Sequence, residues 1–598
     1  MNVENLRVAV AVENATDPAL NGNHSEPENP STQLDMILKA WLGQFTGNIS
    51  PASVANAYTD WLTHLKLSPS KQTELVQKAY RKFWRWAMHA CDLSRANQSN
   101  SFELNRCIEP LPQDKRFSAS EWDYWPFNLI SQGFLLNQQW WHNATTGIPG
   151  VSKHHEDVVT FITRQILDML APSNFLLTNP VVLKETFRDG GANLLRGMQS
   201  AFVDWQQSIE SKTGHLDEAF KVSETLAITP GKVVFRNNLI ELIHYTPTTK
   251  SVYAVPILFV PAWIMKYYIL DLSPQNSMVK YLVDKGHTVF MISWKNPDAK
   301  DRDLSMEDYR TLGIMEAIDT VTRLTESIQV SAVGYCLGGT LLSIAAAAMA
   351  RDKDERLANI TLFASQVDFE EPGEMSLFID ESQINFLEAT MWEKGYLDST
   401  QMVGAFQLLR SNDLIWSHRL NQYLLGKPEQ KTDLMAWNAD ATRMPYRMHS
   451  EYLRKLFLHN DLAEGRYRVD GRVIGLSDIH IPIFAVGTTT DHVAPWHSVF
   501  KIHHLTETEV TFLLTSGGHN AGVVSPPGHP HRSYQIATRA HGDIFVDADI
   551  WQTTIPEHQG SWWPTWETWL ISHAGKRIRP PAVSQALCDA PGLYIMQT

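Results

Sequence analysis

Residues 330–350 are the part of the sequence that most constrains how this chain can fold. A short apolar run at 330–333 leads into the motif GYCLG at 334–338, and an alanine-rich helical run follows at once. A strand, a tight turn and a helix with a central nucleophile form a nucleophile elbow, in which Cys336 takes the usual place of serine. Glycines fit the tight turn, and the positive helix N-terminus favours a thiolate. The motif therefore predicts a cysteine nucleophile.

Apolar runs typical of strands alternate with helical patterns from about residue 218 onward. Such alternation favours a mainly parallel sheet with helices on both faces, which is an α/β fold. Residues 368–452 interrupt the alternation with helical segments and several tryptophans, and predict a cap inserted over the carboxyl edge of the sheet. The predicted strands are residues 233–235, 240–245, 255–260, 288–293, 330–333, 360–364, 481–486 and 510–514.

The chain before this region divides into two parts. Residues 1–32 are polar and rich in Asn, Glu and Pro, and predict a disordered tail. Residues 33–217 carry helix-start signals, such as Ser50 followed by Pro51, and helix-period apolar positions. We therefore predict a mostly helical N-terminal domain, followed by a catalytic domain over residues 218–598.

Two features of the N-terminal domain carry separate predictions. A helix is predicted from Asn179 and Pro180 to about residue 210. Aromatic residues crowd together between positions 117 and 141. Core packing of a helical domain is the favoured interpretation of this cluster, and a contact surface for a partner or an apolar product is the alternative.

Charge, cysteine content and hydropathy exclude several classes of protein. The formal charge of −14 argues against a nucleic-acid-binding protein, which needs a basic face. Four cysteines without metal-like spacing indicate reduced thiols in a cytosolic protein. No apolar run approaches the roughly 18 residues of a membrane span, and the N-terminus lacks the features of a secretory signal. Neither a metal nor a transmembrane segment is expected.

The other two members of a catalytic triad are predicted at the ends of two later strands. On this type of sheet the chain order is nucleophile, acid and histidine. Asp491 follows the strand at 481–486, and His519 follows the strand at 510–514. We expect Asp491 to orient the imidazole of His519, which deprotonates Cys336. The spacing leaves a supporting role for His492 open.

The oxyanion hole is predicted from backbone N–H groups. One donor is the N–H of Leu337, directly after the nucleophile, and the other comes from the loop after the strand at 255–260. Pro261 has no N–H, so the second donor is assigned to Trp263, with Ala262 and Ile264 as alternatives.

The choice of cysteine itself indicates a kind of chemistry. A serine acyl-enzyme is an oxyester, which is less activated than a thioester. A cysteine exchanges one thioester for another at little cost and keeps the acyl group ready for a hydroxyl acceptor. We therefore predict acyl transfer from a thioester donor, although some hydrolases also use cysteine.

Seven linked motifs together resemble the poly(3-hydroxyalkanoate) synthases. The resemblance extends from about Phe117 to the C-terminus, and the chain length, the helical N-terminal domain and Tyr335 are similar to class I enzymes. It implies an α/β-hydrolase fold that polymerises (R)-3-hydroxyacyl-CoA, with short hydroxyacyl groups such as 3-hydroxybutyryl preferred. The motifs are GYCLGGT at 334–340, KYYILDL at 266–272, GHTVF at 286–290, SWKNPD at 293–298, WNADAT at 437–442, DHVAPW at 491–496 and GSWWP at 560–564.

The resemblance also implies roles for residues and partners. Cys336 matches the nucleophile, Asp491 the acid and His519 the base, and His492 becomes a supporting residue. Coenzyme A is the leaving group and no cofactor is implied. The family usually works as a homodimer on cytoplasmic polyester granules, near phasin-type proteins. Two departures are the polar N-terminal extension and Asn520, where many members carry an apolar residue.

Two other functions remain open at this point. A cysteine esterase or polyester depolymerase would share the elbow and the fold, but would use water as acceptor and yield a monomeric acid. A noncatalytic granule-binding protein would use the aromatic N-terminal region as an adhesive. Release of CoA with an insoluble product separates these functions from a synthase.

Overall fold

The computed structural model describes most of the chain. The predicted polar tail lies outside the described residues except for its last three, which belong to the first helix, Pro30–Thr46. All four cysteines are free thiols. Among the residues described, no helix is both long and apolar enough to cross a membrane. The described residues are 30–99, 106–209, 219–399, 401, 404, 411, 415–428, 431–582 and 586–597.

An eleven-stranded sheet forms the centre of the molecule, in the order β15-β14-β13-β12-β7-β6-β4-β5-β2-β1-β17. The other strands form three separate two-stranded pairs. The strands are β1 (Gly231–Arg236), β2 (Ile240–Tyr245), β3 (Val252–Tyr253), β4 (Ile257–Val260), β5 (Val289–Trp294), β6 (Val330–Tyr335), β7 (Leu357–Phe363), β8 (Tyr396–Leu397), β9 (Met444–Pro445), β10 (Arg468–Val469), β11 (Arg472–Val473), β12 (Ile483–Thr488), β13 (Val510–Thr515), β14 (Ser533–Arg539), β15 (Glu557–Gln559), β16 (Arg577–Ile578) and β17 (Cys588–Asp589).

The sheet confirms the α/β prediction and corrects its expected pairing. Strands β5, β4, β6, β7, β12 and β13 pair in parallel. Every residue of β4, β5, β6, β12 and β13 is buried, which explains their nearly unbroken apolar runs. Strands β1, β2, β14, β15 and β17 pair antiparallel, so the sheet is mixed rather than mainly parallel. Three residues join β1 to β2, and so short a link allows only an antiparallel turn.

Helices precede and follow the elbow along the chain. The helix Leu337–Arg351 follows β6 directly, and its first 13 residues are buried. Other helices of this region are short, and several precede or follow the parallel strands. They are Met278–Asp284, Met306–Asp308, Glu316–Thr325, Trp496–Phe500, Ile502–Leu505, His519–Val523, Ala548–Thr554 and Trp563–His573, with a π-helical segment at Tyr309–Met315.

The described part of the N-terminal region is helical, and one predicted helix is divided. Instead of one helix from residue 180 to about 210, there are two, Pro180–Arg188 and Ala192–Ile209. Gly190 and Gly191 between them have φ of 57° and 86°, a left-handed conformation that ends a helix. The remaining helices are Pro30–Thr46, Pro51–Lys66, Pro69–Ser99, Phe127–Thr145 and Lys153–Met169.

The aromatic cluster between residues 117 and 141 contains both core and surface side chains. Phe117 and Trp122 are buried and meet edge to face, with ring centroids 4.9 Å apart. Tyr124 and Trp125 are 63% and 71% exposed. Core packing therefore explains the first pair, and the exposed pair leaves the alternative of a contact surface open.

A cap connects β7 to β12 above the carboxyl edge of the sheet. Its last helix, Tyr446–Tyr452, continues into the π-helical segment Leu453–Leu458, beyond the predicted boundary at residue 452. The N-terminal region is bonded to the cap, because the N–H of Ser50 donates to Gln383 Oε1 at 2.7 Å and Gln383 Nε2 donates to the Asn48 carbonyl at 2.8 Å. The other helices of the cap are Glu381–Lys394, Ser417–Arg419 and Asp433–Asn438, with a π-helical segment at Leu420–Leu424.

Candidate active site

Cys336 lies in a strained turn between β6 and the helix Leu337–Arg351. Its φ is 52° and its ψ is −122°, which a side-chain-bearing residue rarely adopts. The surrounding structure holds this conformation, since the Cys336 N–H donates to the Phe363 carbonyl at 2.9 Å. The thiol therefore lies at the N-terminus of a 15-residue helix, as expected for a nucleophile elbow.

The glycines of the motif make this turn possible. A Cβ on Gly338 would lie 2.0 Å from the Val260 carbonyl oxygen. A Cβ on Gly334 would lie 2.3 Å from the Cα of Gly339. Both neighbours are backbone atoms in a buried sheet and helix, so neither can move aside as a flexible side chain would.

Substitution of Gly338 is expected to damage the elbow. Gly338→Ala should lower the free energy of unfolding by about 1–3 kcal/mol, because the new methyl group overpacks a rigid backbone contact. Urea unfolding monitored by circular dichroism measures the change. Gly404→Ala is the stability control, since a Cβ there meets no atom of the described residues within 4 Å. Equal stability of Gly338→Ala and the wild-type protein would contradict the proposed close packing.

Asp491 and His519 meet at the carboxyl ends of β12 and β13. Asp491 Oδ2 lies 2.7 Å from His519 Nδ1. The carboxylate also accepts the N–H groups of Val493 and Ala494 at 2.9 Å each, and the Thr488 hydroxyl at 3.0 Å. Four donors thus surround a fully buried carboxylate, which fixes the orientation of the imidazole.

His519 and Asp491 each stabilise the charged form of the other. Burial alone would lower the pKa of His519, but the Asp491 carboxylate and the Cys336 sulfur raise that pKa well above its usual value through charge and side-chain hydrogen bonds. Burial alone would raise the pKa of Asp491, but His519 and two backbone N–H groups lower it below its usual value. The site therefore stabilises a carboxylate beside a protonated imidazole, the partner that a thiolate needs.

A series of side-chain hydrogen bonds connects the elbow, the loop that carries His519 and the cap. Tyr335, beside the nucleophile, donates its hydroxyl to Asn520 Oδ1 at 2.5 Å, and Asn520 Nδ2 donates to Asn438 Oδ1 at 3.3 Å. The Tyr335 and His519 rings lie 5.7 Å apart. Sequence reasoning noted Asn520 as a departure but missed this pairing. The available signal was that Tyr335 and Asn520 each adjoin a predicted triad residue.

The predicted oxyanion-hole segment is held against the cap. The Trp263 carbonyl accepts the Thr442 hydroxyl at 2.6 Å, and the Ile264 carbonyl accepts the Thr442 N–H at 3.1 Å. Leu337 and Ile264 line the same cavity as Cys336. The assignment of the donors to Leu337 and Trp263, with Ala262 and Ile264 as alternatives to Trp263, remains a prediction.

His492 follows Asp491 in the same loop. Its carbonyl accepts the N–H of Glu374 in the cap at 3.3 Å, so the loop that carries the acid is bonded to the cap. This contact is made by the backbone of His492. The supporting role of its side chain remains a prediction.

Cys336 lines a partly open chamber of about 510 Å³ together with residues of the cap. The walls come from three parts of the chain, namely the elbow, the cap and the N-terminal segment that includes Ile49. The lining is predominantly apolar, as is typical of a site for a small organic substrate. Representative lining residues are Ile49, Leu337, Met375, Leu387, Tyr452 and Leu453.

Comparison with known proteins identifies relatives of this chain. Residues 113–282 match a family model described as the N-terminus of poly-beta-hydroxybutyrate polymerase, residues 29–71 match a second N-terminal model of the same polymerase, and residues 255–526 match the alpha/beta hydrolase fold. The poly(3-hydroxyalkanoate) polymerase of Methylorubrum extorquens is 40% identical over 92% of this chain and 91% of its own. The poly(3-hydroxyalkanoate) polymerase subunit PhaC of Cupriavidus necator is 32% identical over 95% of each chain.

Among solved structures, the monoacylglycerol lipase of Paleococcus ferrophilus covers 54% of this chain and 97% of its own, with 12% identity and a TM-score of 0.30. An alpha/beta-fold hydrolase of Bacillus anthracis covers 49% of this chain and 95% of its own, with 14% identity and a TM-score of 0.29. The fold assignment itself follows from the alpha/beta hydrolase family match and the central sheet.

Proposed function

The chain belongs to the poly(3-hydroxyalkanoate) polymerase family, whose members are acyltransferases, and we propose that it polymerises (R)-3-hydroxyacyl-CoA into a polyester through a Cys336–His519–Asp491 triad. One observation carries the proposal. Asp491 Oδ2 lies 2.7 Å from His519 Nδ1, the Cys336 sulfur contributes to the raised pKa of His519, and Cys336 lines a predominantly apolar chamber. A predominantly apolar chamber of this size holds an acyl group beside the reactive thiol.

The first half of the proposed reaction loads the enzyme. The Cys336 thiolate attacks the thioester carbonyl of the substrate, a new carbon–sulfur bond forms, and the bond to the CoA sulfur breaks. The protonated imidazole of His519 gives its proton to the departing CoA thiolate. After the thiolate attacks and before CoA leaves, the carbonyl oxygen carries a negative charge. The Leu337 N–H, with Trp263 as second donor, stabilises this charge. CoA is the leaving group, and the proposed reaction uses no cofactor.

The second half extends the polyester. The 3-hydroxyl group of a hydroxyacyl unit attacks an acyl thioester on Cys336, and His519 takes the hydroxyl proton as the ester bond forms. The Cys336 thiolate is released and can be loaded again. Asp491 stabilises the imidazolium that this step creates, because its buried carboxylate lies 2.7 Å from His519 Nδ1.

We propose short hydroxyacyl groups, such as 3-hydroxybutyryl, as the preferred substrates. The support is the description of the two matching N-terminal family models, which name a polymerase of beta-hydroxybutyrate. The His492 side chain is proposed as a support for the loop that carries Asp491.

Incubation of the purified protein with 3-hydroxyacyl-CoA esters of four to ten carbons tests this function. We expect CoA release together with an insoluble polyester, fastest for the four-carbon ester. CoA release with a monomeric acid would indicate a cysteine esterase or depolymerase instead. No CoA release with any ester would indicate a noncatalytic granule-binding protein.

We further propose that the protein works as a cytoplasmic homodimer at the polyester surface, near phasin-type proteins. Exposed apolar side chains on the N-terminal helices support contact with an apolar surface. Tyr80 and Trp84, for example, stack on one helix while more than half of each side chain faces solvent. Centrifugation of the same reaction should bring the protein down with the polymer, and a protein that stays in the supernatant would contradict this proposal.

A further inference from the structure

Two polar side chains in the apolar chamber have buried atoms without hydrogen-bond partners. Gln366 follows β7, and His449 lies on the cap helix Tyr446–Tyr452; both line the chamber together with Cys336. Each residue is 6% exposed. Gln366 Nε2 and His449 Nδ1 are both buried and unpaired. An unpaired buried polar atom costs folding free energy, so its presence requires an explanation.

Two other polar residues that line the chamber form side-chain hydrogen bonds within the protein. Gln383 binds the N-terminal segment through both ends of its amide. The Thr340 hydroxyl donates to the Gln366 carbonyl at 2.7 Å. This bond fixes the backbone of Gln366 to the elbow helix and leaves its side-chain amide available. Gln366 and His449 therefore differ from Gln383 and Thr340 in having a buried side-chain nitrogen without a partner.

The available groups match the oxygen atoms of a hydroxyacyl chain. Burial lowers the pKa of His449 to about 4, so its imidazole is neutral near pH 7 and has one donor and one acceptor nitrogen. A hydroxyl group also donates and accepts. The amide nitrogen of Gln366 only donates, and a carbonyl oxygen only accepts.

We propose that His449 binds the 3-hydroxyl group, and Gln366 the carbonyl oxygen, of hydroxyacyl units held in the chamber beside Cys336. The inference rests on the proposed function, because it names how the substrate of that site is recognised. A hydroxyl-binding group in an apolar chamber separates hydroxyacyl from plain acyl substrates, since an analogue without the hydroxyl leaves the buried group unpaired.

Acylation of Cys336 in a single turnover tests the two contacts separately. The probes are 3-hydroxybutyryl-CoA and butyryl-CoA, which differ only in the 3-hydroxyl group. His449→Phe should reduce the preference for the hydroxylated ester about tenfold, the factor that one ordinary hydrogen bond supplies. Gln366→Met should slow acylation by both esters about equally, because both contain the carbonyl group.

Stability measurements distinguish binding from a structural role. Because each substitution removes an unpaired buried group, the melting temperature should stay the same or rise. His503→Phe is the matched control: His503 is also buried, with both ring nitrogens unpaired, but it lies outside the chamber. It should leave the preference between the two esters unchanged. His449→Gln retains a donor and an acceptor and should keep most of the preference.

An unchanged preference in His449→Phe, together with unchanged acylation in Gln366→Met, would overturn the inference. A lowered melting temperature with no change in preference would equally overturn it and indicate a packing role. If the wild-type protein releases no CoA from either ester, the proposed function fails and this inference falls with it. If it forms polyester but discriminates the two esters no better than His449→Phe does, only the inference fails.

Discussion

Cys336→Ala is expected to reduce CoA release by at least about 10³-fold, because removal of a nucleophile leaves only the residual effect of binding and the oxyanion hole. The fold should survive. The new side chain is smaller than the thiol, and the turn at φ 52° is held by the Phe363 carbonyl and by close glycine packing rather than by the sulfur. CoA release is measured with a thiol reagent, and folding by urea unfolding.

Cys107→Ala is the matched control for this substitution. Cys107 is also a free thiol and is partly buried, but it lies outside the elbow. It should leave CoA release within about twofold of the wild-type rate, as a substitution away from the site should. Loss of turnover in Cys107→Ala with turnover retained in Cys336→Ala would overturn the assignment of the nucleophile.

The elbow could be predicted because its signal is local. The strand β6, the glycines and the helix Leu337–Arg351 are consecutive, so one segment of sequence contains the whole constraint. Asp491 and His519 could also be predicted from the sequence, although they lie 155 and 183 residues after Cys336. The carboxyl ends of neighbouring parallel strands share one sheet edge, and β12 and β13 bring both side chains there.

The edges of the sheet and one helix boundary were predicted less well. Apolar runs indicate strands but not their partners, and β1, β2 and β14 turned out to pair antiparallel. The division of the helix predicted from residue 180 could have been read from adjacent Gly190 and Gly191, which both adopt positive φ.

The chamber could not be predicted from sequence patterns. Its walls combine Ile49 with Leu387 in the cap and Cys336 in the elbow, and Ile49 lies more than 280 residues before either of the others. Periodicity shows which face of a helix is apolar, but it does not show which other element that face meets. The unpaired state of Gln366 and His449 depends on the same contacts and becomes visible only in three dimensions.

His519→Gln and Asp491→Asn are expected to fail at different steps of the reaction. The Cys336 sulfur is one of the groups that raise the pKa of His519. Without its imidazole the thiol loses its base and the departing CoA loses its acid, so His519→Gln should give no burst of CoA. Its acylation rate should fall by about 10³-fold or more.

Asp491 acts on the sulfur only through His519. With its oxygen still accepting from Val493 and Ala494, an asparagine turns its NH₂ group toward His519 Nδ1. That nitrogen must then accept, which leaves the proton on Nε2 and blocks its use as a base for a hydroxyl. A thiol is acidic enough to ionise with little help, so acylation should persist. Attack by a hydroxyl, a far weaker acid, should fall by about 10³–10⁴-fold.

Asp491→Asn should therefore release about one CoA per active site and then stall, with one short hydroxyacyl group attached to Cys336. Rapid-quench measurement of CoA gives the burst, and mass spectrometry of the quenched protein identifies the adduct. The two buried backbone donors keep an oxygen partner in the variant, so its melting temperature should remain close to the wild-type value and exclude misfolding as the cause. A burst in His519→Gln, or none in a folded Asp491→Asn, would contradict this division of roles.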